Sequence, residues 1–226
     1  MAPKEIQNNN QQKHHTENRY SVYFGGSFDP PHKGHHQILN YLLNSPAVEE
    51  IFLVPTSINP LKKSTEKIYS DKDIRRQWIE LWINETEKLL KKSTVRLTPV
   101  WSELEKGRQV PSYTDDTLGQ LQQSYPERNW ILCLGFDSVL TLHKWKNIRE
   151  LLTKLERVWV FPRKGYDWKL ESVVHDLKEF CQFDWVECEL PGYSSSDVRE
   201  ALRNENYRLV LEACLPSIAK NIKKLL

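Results

Sequence analysis

The run Gly25-Gly26-Ser27-Phe28-Asp29-Pro30-Pro31-His32-Lys33-Gly34-His35 sets two histidines three residues apart behind a glycine pair. That set is suited to holding a phosphate. Glycines let backbone approach a ligand closely. An anion beside Gly34 and His35, at the start of a helix, would meet unpaired N–H groups and the positive end of the helix dipole. Imidazoles donating from His32 and His35 would stabilise charge developing on that phosphate. The run is not a Walker A loop, because the Gly-Lys-[Ser/Thr] ending is absent, and it lacks the G-x-G-x-x-G fingerprint. Zinc is the competing ligand for His32, His35 and His36. However, H-x-x-H lacks the general-base Glu and the i, i+4 spacing of a zincin helix, and no Cys or carboxylate cluster nearby completes a site, so metal ligation is not expected.

Such a turn needs a strand before it and a helix after it. Tyr20 to Phe24 alternates like a strand, and the segment from Gly34 has the apolar spacing of a helix. Further strand-like runs lie near 50–55, 95–101, 129–135, 157–163 and 182–188, with helical patterns between most of them. This alternation predicts a parallel α/β sheet. The polar loop from Thr56 to Lys63 and the acid Asp137 follow strand C-terminal ends, where such sheets bind ligands. Asp137 is expected to cap the next helix or to meet a ligand, since unpaired burial would be costly. Asp71 to Lys92 carries Ile74, Trp78, Leu81, Trp82, Glu85 and Leu89 at helical spacing, with charges opposite, as ordinary packing requires. Tyr113-Thr114 could begin a helix with Thr114 as N-cap, and Trp145 alone would be read as a packing residue. Ser194-Ser195-Ser196-Asp197-Val198-Arg199 reads as a serine-capped helix start with arginine in its first turn.

The 226 residues fit one domain. Residues 1–18, with Asn8 to Gln12 and almost nothing apolar, are expected to form a flexible Asn/Gln-rich tail, leaving 19–226 as the folded unit. With 32 Lys+Arg against 30 Asp+Glu the net charge is +2, which gives no broad field for nucleic acid. Cys133, Cys181, Cys188 and Cys214 have no C-x-x-C spacing and are expected to be reduced and buried. There is no membrane-length apolar stretch and no secretory signal pattern, so a cytoplasmic location without membrane association is the expectation.

The histidine run resembles the G-G-[ST]-F-D-P-x-H-x-G-H signature of the nucleotidyltransferase superfamily, in particular its bacterial nicotinate mononucleotide adenylyltransferase branch. Four more landmarks of that family recur in order. They are Val54-Pro55 followed by Asn59-Pro60 and a basic residue, Pro111-Ser112-Tyr113-Thr114-x-x-Thr117-Leu118, Gly135-x-Asp137-Ser138 with Trp145 downstream, and Ser194-Ser195-Ser196-x-Val198-Arg199. Together they span residues 20–203.

The resemblance implies a Rossmann-like open parallel sheet with helices on both faces. It implies that the 5′-phosphate of nicotinate mononucleotide attacks the α-phosphorus of ATP, expelling pyrophosphate and giving nicotinate adenine dinucleotide in NAD biosynthesis. Gly25, Gly26, Ser27, Phe28 and Gly34 would contact the nucleotide and His32 and His35 the triphosphate. Ser195, Ser196 and Arg199 would grip the β- and γ-phosphates, and Mg²⁺ would ride on the phosphate oxygens. His32, His35 and Arg199 are the expected catalytic residues. Thr114 and Trp145 would lie around the pyridine ring, Asp137 on a ribose, and Lys62 and Arg163 near the acceptor phosphate. Three departures stand out: Pro60-Leu61-Lys62 in place of Pro-His-[Lys/Arg], Ser196-Asp197 where a threonine is usual, and Arg163-Lys164-Gly165 where relatives carry Arg-Arg-Pro-Gly. The alternatives are a sister transferase acting on nicotinamide mononucleotide or phosphopantetheine, and a nucleotide-binding regulator of the same fold without catalysis. Association into a homo-oligomer is left open.

Overall fold

The computed structural model describes residues 19–58, 60–61, 70–89, 93–107, 110–163, 168–188 and 190–225. Six strands form the sheet: β1 (Tyr20–Gly26), β2 (Val48–Pro55), β3 (Arg96–Pro99), β4 (Asn129–Gly135), β5 (Arg157–Phe161) and β6 (Gln182–Trp185). Their order is β3-β2-β1-β4-β5-β6, and every neighbouring pair is parallel. Each expected strand is present. The third and sixth are shorter than their apolar runs, because the chain turns into a helix at Trp101 and the Cys188 N–H folds back to Val186 O.

The helices are α1 (Lys33–Asn44), α2 (Lys72–Leu89), α3 (Ser102–Glu105), α4 (Thr114–Ser124), α5 (Phe136–Val139), α6 (Ile148–Thr153), α7 (Ser195–Arg203), α8 (Tyr207–Ala213) and α9 (Pro216–Leu225). They cover both faces, as expected. Along β1, Val22 and Phe24 point to a core shared with α1, α2 and α7 to α9, while Tyr23 points to a second core shared with α4 to α6. With both faces covered, the central strands read as nearly continuous apolar runs.

The order reverses direction between β1 and β4, so the loops leaving these two strands diverge and open a crevice at the C-terminal edge. The candidate site residues among the described ones lie on segments that reach this edge. None of the helices among the described residues is long and apolar enough to cross a membrane. Cys133, Cys181 and Cys214 are buried free thiols, whereas Cys188 is only half-buried, short of the expected burial. Burial pushes the Cys214 thiol up to about 12 and Cys181 up to about 11, which leaves them protonated and inert.

The opposite edge is held by Glu50 of β2, whose side chain is 5% exposed. Thr98 Oγ1 donates to it at 2.6 Å, the Arg128 guanidinium makes a short contact with it, and Arg96 lies 3.4 Å away. Arg128 also donates to Ser21 Oγ at 3.1 Å, so one cluster fixes the mutual register of β1, β2 and β3. Burial raises the Glu50 pKa, but the bonds from Thr98 and Arg128 and the charges of Arg128 and Arg96 outweigh it and leave the carboxyl below its usual value. A depressed carboxyl contributes stability that is present above its unfolded pKa and is lost as pH falls through the folded value. We therefore expect Arg128→Leu to destabilise the fold at neutral pH by about 3 kcal/mol, because it strands a buried charge. Denaturant titrations at neutral pH and below 4.5 check this: the deficit should shrink as Glu50 protonates.

Candidate active site

Where β1 ends, the chain makes a compact turn around the buried ring of Phe28. This residue takes φ 45°, a left-handed conformation that costs a non-glycine residue about 1 kcal/mol. The ring is fully buried and packs edge-on to Phe24 at 5.5 Å and to His35 at 5.0 Å, and tilted on Trp82 at 5.3 Å. It lies so close beneath Gly26 that a Cβ there would sit 2.8 Å from Phe28 Cε1. Gly26 is thus required by an aromatic ring of the protein itself, and Phe28 can offer a ligand only its backbone.

Helix α1 then starts with His32 as N-cap and His35 as its third residue, and the two form a reciprocal capping box. His32 Nδ1 accepts from Gly34 N–H at 3.1 Å, and His35 Nδ1 accepts from His32 N–H at 3.2 Å. The rings lie 3.8 Å apart at 34°. Because each Nδ1 is an acceptor, each neutral ring carries its proton on Nε2. Two N–H donors therefore stand side by side over a helix N-terminus, a set that favours an anion. His32 is 3% exposed and His35 is half-buried. Gly34 has to be glycine, since a Cβ would lie 2.9 Å from His32 Cε1.

Helix α7 brings a second N-terminus to the same turn. Ser194 caps it in a box with Asp197, whose carboxylate accepts from Ser194 N–H and Oγ–H at 2.7 Å each. Asp197, noted above as a departure from the family pattern, is therefore part of the cap. Ser195 Oγ donates to Pro30 O at 3.0 Å. Arg199, 3% exposed, donates to Asp29 O at 2.7 Å and to Ser196 Oγ at 2.9 Å. These bonds lash α7 to the histidine turn, so residues separated by 165 positions meet at one corner.

The residues expected to meet the acceptor gather in two places. Thr114 is the first residue of α4, not its N-cap: that position is Tyr113, which makes no side-chain capping bond. The loop carrying Trp145 is tied to this corner by Lys146, which bonds Asp116 at 2.7 Å and lies 5.0 Å from the Tyr113 ring centre, and by Asn147, which bonds Asp115 at 2.8 Å. Trp145 itself is half-buried against the second core. Beneath the corner, Thr117 Oγ1 donates to Glu103 at 2.6 Å. Burial and the Glu103 charge push the Tyr23 hydroxyl well above its ordinary value despite its bonds to Thr114 and Thr117. Asp137 and Arg163 form the second group, an ion pair at 3.0 Å beyond β4 and β5. Asp137 neither caps α5, whose N-cap is Gly135, nor is it buried, with its side chain 47% exposed. Lys62 lies outside the described residues.

Two buried polar groups here were not singled out from the sequence. Glu103 is 1% exposed and is met by Lys106 at 2.5 Å. Arg75 is 2% exposed and points from α2 at backbone carbonyls of the β1 and β2 loops. The inward face of α2 carries Arg75, Trp78, Ile79, Trp82, Ile83 and Thr86, rotated from the stripe read through Ile74, Leu81 and Glu85. A charge at i−4 to Ile79 and i−7 to Trp82 was the signal available for Arg75.

The chain is similar to known proteins in sequence and in fold. A family model described as cytidylyltransferase-like matches residues 23–201. A probable nicotinate-nucleotide adenylyltransferase of Leptospira interrogans is 34% identical over 200 residues, covering 88% of this chain and 93% of that protein. The nicotinate-nucleotide adenylyltransferase of Bacillus subtilis is 34% identical over 143 residues, 63% of this chain and 69% of its own. A solved structure of the Plasmodium falciparum nicotinic acid mononucleotide adenylyltransferase complexed with NaAD superposes with a TM-score of 0.69 at 21% identity, covering 92% of this chain and 96% of that one.

The lock between His32 and His35 makes Gly34→Ala a sharp probe. The added methyl displaces the His32 ring, and we expect affinity for a nucleoside triphosphate to fall at least about tenfold, the equivalent of roughly one charge-assisted hydrogen bond. The melting temperature should move by no more than about 4 °C, since alanine is the better helix former. Calorimetric titration and thermal unfolding of the same sample measure the two quantities.

Proposed function

The chain belongs to the cytidylyltransferase-like family, within its nicotinate-nucleotide adenylyltransferases, and from that membership we propose that it transfers AMP from ATP to nicotinate mononucleotide. An oxygen of the acceptor's 5′-phosphate attacks the α-phosphorus. The bond from the α-phosphorus to the β-bridging oxygen breaks, and pyrophosphate leaves as nicotinate adenine dinucleotide forms. No protein nucleophile is required. The work is alignment of two anions and stabilisation of charge on the phosphoryl oxygens.

His32 and His35 supply paired Nε2–H donors to the triphosphate, and this pairing is the observation that carries the proposal. The backbone of Gly25, Gly26, Ser27, Phe28 and Gly34 shapes the ATP side of the turn. The first N–H groups of α7, at Ser195 and Ser196, take the β- and γ-phosphates, and Arg199 holds the turn and places its charge behind them. Mg²⁺, held by the triphosphate oxygens, supplies charge neutralisation there when bound. The donors at the α1 start are N–H groups, a set that fits the phosphates and leaves the cation to them.

On the acceptor side Thr114 and Trp145 border the pyridine ring, Asp137 meets a ribose, and Lys62 and Arg163 lie toward the acceptor phosphate. The start of α4 has no side-chain cap, and the two acids of its first turn, Asp115 and Asp116, are engaged by Asn147 and Lys146, so its N–H groups favour a pyridine carboxylate over the neutral amide. The relatives' names point to the same acceptor.

Pyrophosphate release with ATP and Mg²⁺ against nicotinate mononucleotide, nicotinamide mononucleotide and phosphopantetheine tests this. We expect kcat/KM for the nicotinate compound to exceed that for the amide by at least about a hundredfold, as for a site built around one charged group. Equal turnover of acid and amide would contradict the acceptor assignment. Nucleotide binding without pyrophosphate release from any acceptor would instead indicate a regulator of the same fold.

A further inference from the structure

The reaction needs the ATP turn and the acceptor corner to be held a fixed distance apart, and one chain of buried hydrogen bonds runs between them. Arg75 donates through Nε at 3.0 Å and Nη2 at 2.6 Å to Ser27 O in the ATP turn. Its Nη2 also reaches Thr56 O at 2.5 Å, and its Nη1 reaches Ser57 O at 3.4 Å, both just past β2. From there Ser57 N–H donates to Ser112 Oγ at 2.8 Å, and the two hydroxyls lie 2.9 Å apart. Ser57 Oγ also donates to Val110 O at 2.5 Å, and Ser112 N–H donates to Ile58 O at 2.9 Å. The next residues after Ser112 are Tyr113 and Thr114, at the start of α4. Arg75 and Ser57 are each 2% exposed and Ser112 is 8% exposed, so water does not compete for these bonds.

We propose that Arg75, acting through Ser57 and Ser112, is the spacer that sets the separation of the two substrate half-sites. The inference rests on the two-substrate function proposed above. Arg75 is a positioning residue: it acts on the loops that carry substrate. Only a planar fork can serve three carbonyls of two loops at once, and an ammonium at this position would reach fewer of them and fix no plane. The gain is greatest at the transition state, because a misplacement of about 1 Å between reacting groups costs roughly a hundredfold in rate. A ligand that occupies only one half-site is indifferent to the spacing. A ligand that spans both halves is not.

That distinction separates a spacer from a simple staple for α2. For Arg75→Lys and for Ser112→Ala, affinities are measured for a non-hydrolysable ATP analogue, for nicotinate mononucleotide and for nicotinate adenine dinucleotide, alongside kcat and the melting temperature. Each single-site ligand should bind within about twofold of wild type. The dinucleotide should bind at least about tenfold more weakly, because its advantage is one of effective concentration at a fixed span. In Arg75→Lys kcat should fall about ten- to a hundredfold. The double variant should lose less than the product of the single losses, as expected for members of one bridge. A lowered melting temperature with an unchanged ratio of dinucleotide to single-site affinity would overturn the inference, and so would fully multiplicative losses. If Arg75→Lys does not fold, Ser112→Ala carries the test, and an unchanged ratio there has the same force. Wild-type protein that bound neither nicotinate mononucleotide nor the dinucleotide would instead contradict the function on which the inference rests.

Discussion

The reciprocal hydrogen bonding of His32 and His35 across the first turn of α1 is the constraint around which the site is arranged. An N-cap side chain normally satisfies a backbone donor and nothing more. Here both capping groups are imidazoles, and the same two bonds that cap the helix also fix which ring nitrogen bears the proton. The neighbouring features follow from it. Gly34 leaves room for the His32 ring, Phe28 turns its buried ring under Gly26 and against His35, and Arg199 and Ser195 hold the Asp29 and Pro30 carbonyls that lead into the cap. Capping the helix uses the Nδ1 side of each ring, and the phosphate binding proposed above uses the Nε2 side of the same rings.

The sheet gives this turn its partners. Reversal of the strand order between β1 and β4 opens the C-terminal edge, and each loop that reaches it brings polar groups from a different part of the chain. Those groups are held by buried bonds to backbone carbonyls: Arg75 on Ser27 and Thr56, and Arg199 on Asp29. A buried guanidinium is costly to desolvate unless its donors are satisfied, and charge-assisted bonds to carbonyls offset that cost while fixing the loops in one geometry. Rigid alignment is what a reaction without a covalent intermediate requires.

The sheet and the histidine turn were legible in the sequence for a physical reason. Strands covered on both faces are continuous apolar runs, and the histidine turn is built from consecutive residues whose types are dictated locally by the cap, the glycines and the helix start. The acceptor side was harder. Thr114 looked like an N-cap because threonine often is one, but the turn here is made by backbone, with Thr114 bonded inward toward Tyr23. Asp137 looked like the buried end of a strand, but a short helix lifts it to the surface, where Arg163 meets it. Arg75 left only its place on the inward stripe of α2 as a signal, because its partners are main-chain carbonyls of Ser27, Thr56 and Ser57, which have no residue-type signature. Asp197, a departure from the family's usual residues, closes the Ser194 cap with its carboxylate.

The most direct test of the paired-donor site is ¹⁵N NMR of the imidazole rings of His32 and His35, assigned with single His→Gln variants, in ligand-free protein near neutral pH. The structure requires both rings to be Nε2–H tautomers with unprotonated Nδ1 atoms, and their Nε2–H signals to shift on addition of ATP. A ring protonated on Nδ1, or one averaging between tautomers, would contradict the capping geometry and the phosphate site built on it.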